Sequence, residues 1–146
     1  MDDLPNILLV EDNPDHAELT LRCLEDHPIE SRVLHVVDGE AALDFLLRRD
    51  SYSDPDTSPR PQMILLDLRL PKVDGLEVLE SVKASNDLRR IPVVVLTTSQ
   101  AEQDVTRAYE LHANSYLVKP IDFGELSSLL DDLVSYWLSW NRRPAV

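Results

Sequence analysis

Four short apolar runs, at 7–10, 63–66, 93–96 and 116–118, each end abruptly at a charged or hydroxyl-bearing residue. They are continuous rather than alternating, the pattern of parallel strands buried on both faces. A fifth strand is predicted at 32–36, and the full set reads 6–10, 32–36, 62–66, 93–96 and 115–118. Between the strands apolar residues recur at helical spacing. Ala17, Leu21 and Leu24 form one such face, Ala42, Leu43, Leu46 and Leu47 a second, and Leu76, Val78, Leu79 and Val82 a third. Val105, Ala108 and Tyr109 mark a fourth helix over 100–111, and Leu126, Leu129, Leu130, Leu133, Val134, Trp137 and Leu138 a fifth. Asn13 before Pro14, Ser99 and Asp122 are the N-caps expected to start three of these helices, Asp38-Gly39 opens the second, and Asp74-Gly75 reads as a loop and turn before the third. Only 48–61 lacks apolar periodicity; with Pro55, Pro59, Pro61 and the acids Asp50, Asp54 and Asp56 it reads as a long solvated loop inserted between a helix and a strand.

Strands alternating with helices imply an α/β fold, a parallel sheet covered on both sides. With right-handed crossovers, the common solution at this length is a doubly wound five-stranded sheet of order 2-1-3-4-5. Its switch point lies between strands one and three, where ligands bind beyond the carboxyl ends of the strands. Glu11 and Asp12 follow strand one there, and Asp67 follows strand three.

The chain has 146 residues, which fits one domain with its core at about 6–138 and an extended last helix and tail to 146. A net charge of -13 argues against a nucleic-acid or anionic-membrane surface. Cys23 is the single cysteine, so no internal disulfide forms. The acidic start at Met1, Asp2 and Asp3 lacks a signal-peptide layout, and a cytoplasmic location is expected.

The strand ends carry the chemistry. Glu11, Asp12 and Asp67 are candidate ligands for Mg²⁺, a hard cation that takes oxygen donors and offsets clustered carboxylates. Asp67 is a candidate nucleophile toward a phosphoryl donor, with Thr97 and Lys119 placed to stabilise charge on the phosphoryl oxygens. Each residue taken alone has a plainer reading as a cap, turn or surface residue; the joint occurrence at successive strand ends is what points to a site.

The chain resembles the response-regulator receiver domains of the CheY type, members of the flavodoxin/CheY-like folds. The matching residues are Glu11-Asp12, Asp67 with Pro71 and Asp74-Gly75, Leu96-Thr97-Thr98, and Tyr116-Leu117-Val118-Lys119-Pro120. The long loop, Leu96 to Ser99, Leu111-His112-Ala113-Asn114 and Trp137 are similar to the Rcp-type regulators paired with cyanobacterial phytochromes; His112 and Asn114 depart from the commoner Gly-Ala pattern before strand five. The resemblance implies phosphoryl transfer to Asp67 from a sensor histidine kinase of phytochrome type. It also implies Mg²⁺ held by Glu11, Asp12, Asp67 and the Arg69 carbonyl, Thr97 as switch hydroxyl, Tyr116 as switch aromatic, Lys119 as phosphate contact, and a cis Lys119–Pro120 bond. Arg69, two residues after the acceptor, is expected to shield the acyl phosphate.

Such a protein is not an enzyme toward a separate substrate, although it contributes to its own phosphotransfer and dephosphorylation. With no second domain in these 146 residues, output is expected through a protein contact. The expected surface is a homodimer face on helix four, strand five and helix five, with Tyr136 and Trp140 as an exposed aromatic pair. Two other classes remain. A haloacid-dehalogenase-type phosphatase shares the nucleophilic Asp and Mg²⁺, but needs an acid where Arg69 stands. A pseudo-receiver would bind without turning over phosphate.

Overall fold

The computed structural model of the chain describes residues 4–142; the acidic start at Met1, Asp2 and Asp3 and the last tail residues, 143–146, lie outside them. Strands and helices alternate as β1 Asn6–Val10, α1 Pro14–Asp26, β2 Arg32–Val36, α2 Gly39–Leu46, β3 Met63–Leu66, α3 Gly75–Ala84, β4 Val93–Thr97, α4 Glu102–Glu110, β5 Ser115–Val118 and α5 Phe123–Ser135. All strand pairs are parallel, in the expected order β2-β1-β3-β4-β5.

Side chains along a strand point alternately to opposite faces, and here both faces are apolar. Ile7, Leu9, Met63, Leu65 and Val94 pack against Leu24 of α1 and Leu133 and Val134 of α5. Leu8, Val10, Ile64, Leu66, Val93 and Val95 pack on the other face against α2, α3 and α4, through Ala42, Phe45, Val78, Leu79 and Ala108. Every residue of β3 and β4 is buried, whereas the edge strand β2 is buried only at Val36. That difference is why the central strands read as continuous apolar runs and β2 does not.

Asn13 and Asp122 cap with their side chains as expected, and Asp38 and Asp74 do so as well. Asn13 accepts from the amides of Asp15 and His16 at 2.9 and 3.1 Å, Asp38 from Ala41 at 2.7 Å, Asp74 from Leu76 at 3.3 Å, and Asp122 from Glu125 at 3.0 Å. Ser99 is not an N-cap. α4 starts later than expected, at Glu102 behind Ala101; the Ser99 hydroxyl donates to the Asp104 carboxylate at 2.5 Å and accepts from the Ala101 amide at 3.3 Å in the turn before the helix. Strand three starts at Met63 rather than 62, since Gln62 is turned to bind the backbone of Asn6 through both its own amide and its side chain. Leu47, expected on the apolar face of α2, is its C-terminal cap and 44 % exposed, and Arg48 after it takes a left-handed φ of 55°.

The 48–61 loop is exposed over most of its length, as expected, but is anchored at Tyr52, Ser58 and Pro61. A 3-10 turn at Asp50–Tyr52 sets the Tyr52 ring edge-to-face on Phe45 at 5.5 Å. After Ser135 the last helix widens into a π turn at Tyr136–Trp140, closed by the Asn141 amide on the Tyr136 carbonyl at 2.7 Å. Tyr136 and Trp140 are both exposed, as expected; the ring contact in this segment is Tyr136 edge-to-face on Trp137 at 5.2 Å. The Lys119–Pro120 bond is trans, the described residues containing no cis peptide bond; trans is the lower isomer of an Xaa–Pro bond by about 0.5–1 kcal/mol.

One close approach positions the loop after β3. The amide of Gly75 donates to the Leu68 carbonyl at 3.0 Å, and a Cβ at Gly75 would lie 2.4 Å from the Asp67 carbonyl oxygen and 2.5 Å from Leu68 Cα. The start of α3 is thus seated on the backbone that carries Asp67. Gly75→Ala is expected to cost about 1–3 kcal/mol by overpacking backbone that has no room to give. Urea unfolding measures it, and an unchanged midpoint would contradict the contact.

Candidate acidic site at the strand ends

Parallel register brings the carboxyl ends of β1 and β3 side by side: Val10 pairs with Leu66, and the Asp67 amide donates to the Val10 carbonyl at 3.1 Å. β4 and β5 are joined in the same way, the Lys119 amide donating to the Thr97 carbonyl at 2.7 Å. These bonds place Glu11, Asp12, Asp67, Thr97 and Lys119 at one end of the sheet, as the sequence pattern predicts.

Glu11, Asp67, Thr97 and Lys119 are buried, and Asp12 is exposed. The Lys119 ammonium is ion-paired with Glu11 Oε1 and lies 3.1 Å from Asp67 Oδ2. Glu11 Oε2 accepts from the Asn13 amide at 3.1 Å, so both its oxygens are engaged. Asp67 Oδ1 accepts from the Arg69 amide at 3.2 Å. Glu11, Asp12 and Asp67 each offer an oxygen, all within 4.8 Å of one another. An all-oxygen set with one member open to solvent suits a hard divalent cation that keeps some of its water.

The electrostatics follow from burial and one cation. Burial pushes the Glu11 carboxyl up to about 7, against the pull of Lys119. Asp67 is also raised by burial, but Lys119, the Thr97 hydroxyl and the Arg69 amide outweigh it and hold its carboxyl below the usual value. Asp67 is thus the more readily ionised of the two buried carboxyls. A divalent cation among the three carboxylates would favour the charged form of Glu11 as well.

The remaining expected residues are placed differently. Arg69 lies on the loop after β3, but its guanidinium turns away from Asp67 to pair with Asp104 of α4. Tyr116 is half-buried on β5, its hydroxyl donating to the Ser99 carbonyl at 3.0 Å, and burial raises its pKa. Two polar groups near the site, His16 and Asp104, were not singled out in the sequence, and Asn114 was noted there without a role. His16 Nδ1 lies 3.1 Å from the Lys119 ammonium; burial and then Lys119 lower the pKa of the ring. Its position one helical turn after Asp12 was the available signal. Asp104 is a buried acid in the first turn of α4. Asn114 accepts on its side-chain oxygen from the Val93 amide at 2.9 Å and the Lys83 ammonium at 3.0 Å, tying β4 to the end of α3. His112, the other departure noted in that segment, holds a φ of 71°, a conformation that favours glycine.

No helix among the described residues is long and apolar enough to cross a membrane. Residues 7–131 match the family model described as the response regulator receiver domain. The chain is 50% identical over 138 residues to the probable methanogenesis regulatory protein FilR2 of Methanothrix harundinacea, covering 94% of this chain and 86% of that protein. It is 45% identical over 139 residues to the response regulator Rcp1 of a Synechocystis strain, covering 95% and 92%. The Mn²⁺-bound crystal structure of Rcp1 superimposes with a TM-score of 0.90 over 97% of this chain and 99% of that one. The phosphorylated cyanobacterial phytochrome response regulator RcpA does so with a TM-score of 0.92 at 38% identity, over 97% and 99%. Fold, strand-end residues and relatives agree, and the chain belongs to the response regulator receiver domain family.

Proposed function

We propose that this response regulator accepts a phosphoryl group on Asp67 from a phosphohistidine of a sensor kinase and signals through a changed protein-binding surface. The observation that carries the reading is the buried Lys119 ammonium between Glu11 and Asp67, with Asp12 open beside them. Glu11, Asp12, Asp67 and the Arg69 carbonyl would hold Mg²⁺, which supplies charge neutralisation for the incoming phosphoryl oxygens. An Asp67 oxygen bonds to phosphorus as the N–P bond of phosphohistidine breaks; the imidazole nitrogen keeps the electron pair and takes a proton from solvent. Lys119 and Thr97 stabilise the charge gathering on the phosphoryl oxygens. Thr97 and then Tyr116 carry the change to α4, β5 and α5. Hydrolysis of the acyl phosphate at the same site resets the protein, and no separate substrate is turned over.

The likeness to RcpA, a phosphorylated phytochrome response regulator, and to Mn²⁺-bound Rcp1 supports a phytochrome-type kinase as donor and a divalent ion at the acids, and a cytoplasmic location suits both. Incubation with acetyl phosphate tests the reading: acetate leaves and the intact protein gains one phosphate, in Mg²⁺ and not in EDTA. Catalytic release of phosphate from varied phosphomonoesters, or absence of label in Mg²⁺, would reject it.

Self-association through α4, β5, α5 and the π turn is part of the proposal. Tyr109, Val118, Tyr136 and Trp140 are exposed, Trp140 at 80%, and large aromatics on a surface are the usual anchors of an interface. Trp140→Ala is expected to shift the protein from dimer to monomer in sedimentation. A monomeric wild type, or an unchanged mass in the variant, would refute it.

A further inference from the structure

One chain of contacts leaves the acidic site and ends on α4. The Arg69 guanidinium pairs with Asp104 Oδ2, and the Ser99 hydroxyl donates to that same oxygen at 2.5 Å. The Ser99 carbonyl accepts from the Tyr116 hydroxyl at 3.0 Å, and the Ser99 amide approaches the Thr97 hydroxyl at 3.4 Å. Asp104 is 6% exposed, whereas the Arg69 side chain is 59% exposed. The acid is fixed in the fold and the base is free to move. A buried carboxylate is costly without its cation, so Asp104 holds Arg69 in the resting protein.

A phosphoryl group on Asp67 changes the competition. It brings a charge of about -1.5 to -2 and three acceptor oxygens next to the residue whose backbone amide already binds Asp67. Guanidinium favours such a group, which it can bind through two parallel hydrogen bonds. We propose that Asp104 is a positioning residue for the phosphoryl chemistry: it parks Arg69 away from Asp67 at rest and competes with the phosphoryl group for it after transfer.

Two consequences follow. Arg69 on the phosphoryl oxygens stands across the approach of the water that attacks phosphorus and breaks the Asp67 Oδ–P bond to release phosphate. The harder Asp104 pulls, the less Arg69 shields and the shorter the phosphorylated state lasts. Once Arg69 leaves, Asp104 keeps only Ser99 as partner, which favours opening of the turn before α4 to water. That opening displaces the Ser99 carbonyl and frees the Tyr116 hydroxyl it holds. The reading of Asp67 as acceptor and the output at α4 are thus joined through Arg69, Asp104 and Ser99.

The proposal rests on Asp67 being the phosphoacceptor, and the experiment separates the two. Wild type, Asp104→Asn, Arg69→Ala and the double variant are phosphorylated with acetyl phosphate and Mg²⁺, the donor is removed, and decay of the phosphoprotein is followed by intact mass. Asn keeps an oxygen for Ser99 but loses the charge that holds Arg69. Asp104→Asn is expected to lose phosphate about fivefold more slowly than wild type, within the usual range of coupling between sites. Arg69→Ala is expected to lose it faster, and Asp104→Asn in the Arg69→Ala background to add nothing. A merely structural role for Asp104 would leave its effect intact in that background, and this outcome overturns the proposal, as does a wild-type decay rate in Asp104→Asn. No label on wild type overturns the acceptor reading and the proposal with it. Should Asp104→Asn not fold, the side-chain Nε–H resonance of Arg69 in wild type decides: beryllofluoride with Mg²⁺, a phosphoryl mimic, is expected to shift it, and an unmoved resonance rejects the hand-over.

Discussion

Asp67→Asn is expected to remain unphosphorylated in acetyl phosphate and Mg²⁺ under conditions that label the wild type. The loss is total because the substitution removes the nucleophile itself; an amide oxygen carries no full charge to attack phosphorus. The competing candidates are poorly placed to replace it. Glu11 is closer to Lys119 but has both oxygens engaged, one by Lys119 and one by the Asn13 amide, and burial pushes its carboxyl up to about 7. Asp12 is ionisable and exposed, yet the Lys119 ammonium that would receive phosphoryl charge pairs with Glu11 and Asp67 instead. Asp67 alone combines a held-down pKa with a cation on one oxygen and a backbone amide on the other. Intact mass of the variant checks the outcome. Undiminished label would move the acceptor elsewhere, with Asp12 the next residue to substitute.

Much of this site was readable before any coordinates, for a physical reason. A central parallel strand is buried on both faces, so its sequence is a run of apolar residues and its end is sharp. Residues 63–66 stop at Asp67 and 93–96 at Thr97 because there the apolar strands give way to buried polar groups that partner one another, the Thr97 hydroxyl bonding the Asp67 carboxylate. Thr97 itself still belongs to β4 and is fully buried, a one-residue difference from the expected strand. Strand order came from chain length and crossover handedness, and that too is borne out. What escaped was side-chain partnership across long separations. Arg69 and Asp104 are 35 residues apart, and His16 and Lys119 are 103 apart. Neither pair leaves a periodic trace in the sequence, because each involves polar residues at loop ends or helix starts where any cap would look the same. Ser99 shows the ambiguity directly: hydroxyl before a helix reads as an N-cap, yet here the hydroxyl serves Asp104 and the Ala101 amide in the preceding turn and the helix begins at Glu102. The π turn after Ser135 was likewise invisible, since Trp137 and Leu138 keep the apolar spacing of the helix before them.

Lys119→Met, in the absence of a divalent ion, is expected to lose about 3–5 kcal/mol of stability at pH 8, the range for removing one partner of a buried ion pair. The side chain of Lys119 is 3% exposed, as is that of Glu11, so methionine fits the apolar stem but leaves two buried carboxylates facing each other. The loss depends on pH, with a sign set by Glu11. Its folded pKa is raised from 4.5 to about 7. A carboxyl raised on folding contributes stability that is fully present below the unfolded value and disappears as pH rises through the folded one. Wild type without metal is therefore expected to weaken between about pH 5 and 8. Lys119→Met should weaken more steeply, because losing the ammonium raises the Glu11 carboxyl further and extends the window upward. At pH 5 the variant holds Glu11 neutral and recovers much of the difference. Asp67 acts in the opposite direction: its lowered pKa gives stability that is lost only as pH falls through that value, below this window. Urea unfolding of both proteins at pH 5 and pH 8 in EDTA reads the effect, and an equal loss at the two values would refute the burial of Glu11 as its cause. Adding Mg²⁺ at pH 8 should restore part of the variant's stability, since a cation among Glu11, Asp12 and Asp67 replaces the charge that Lys119 supplied.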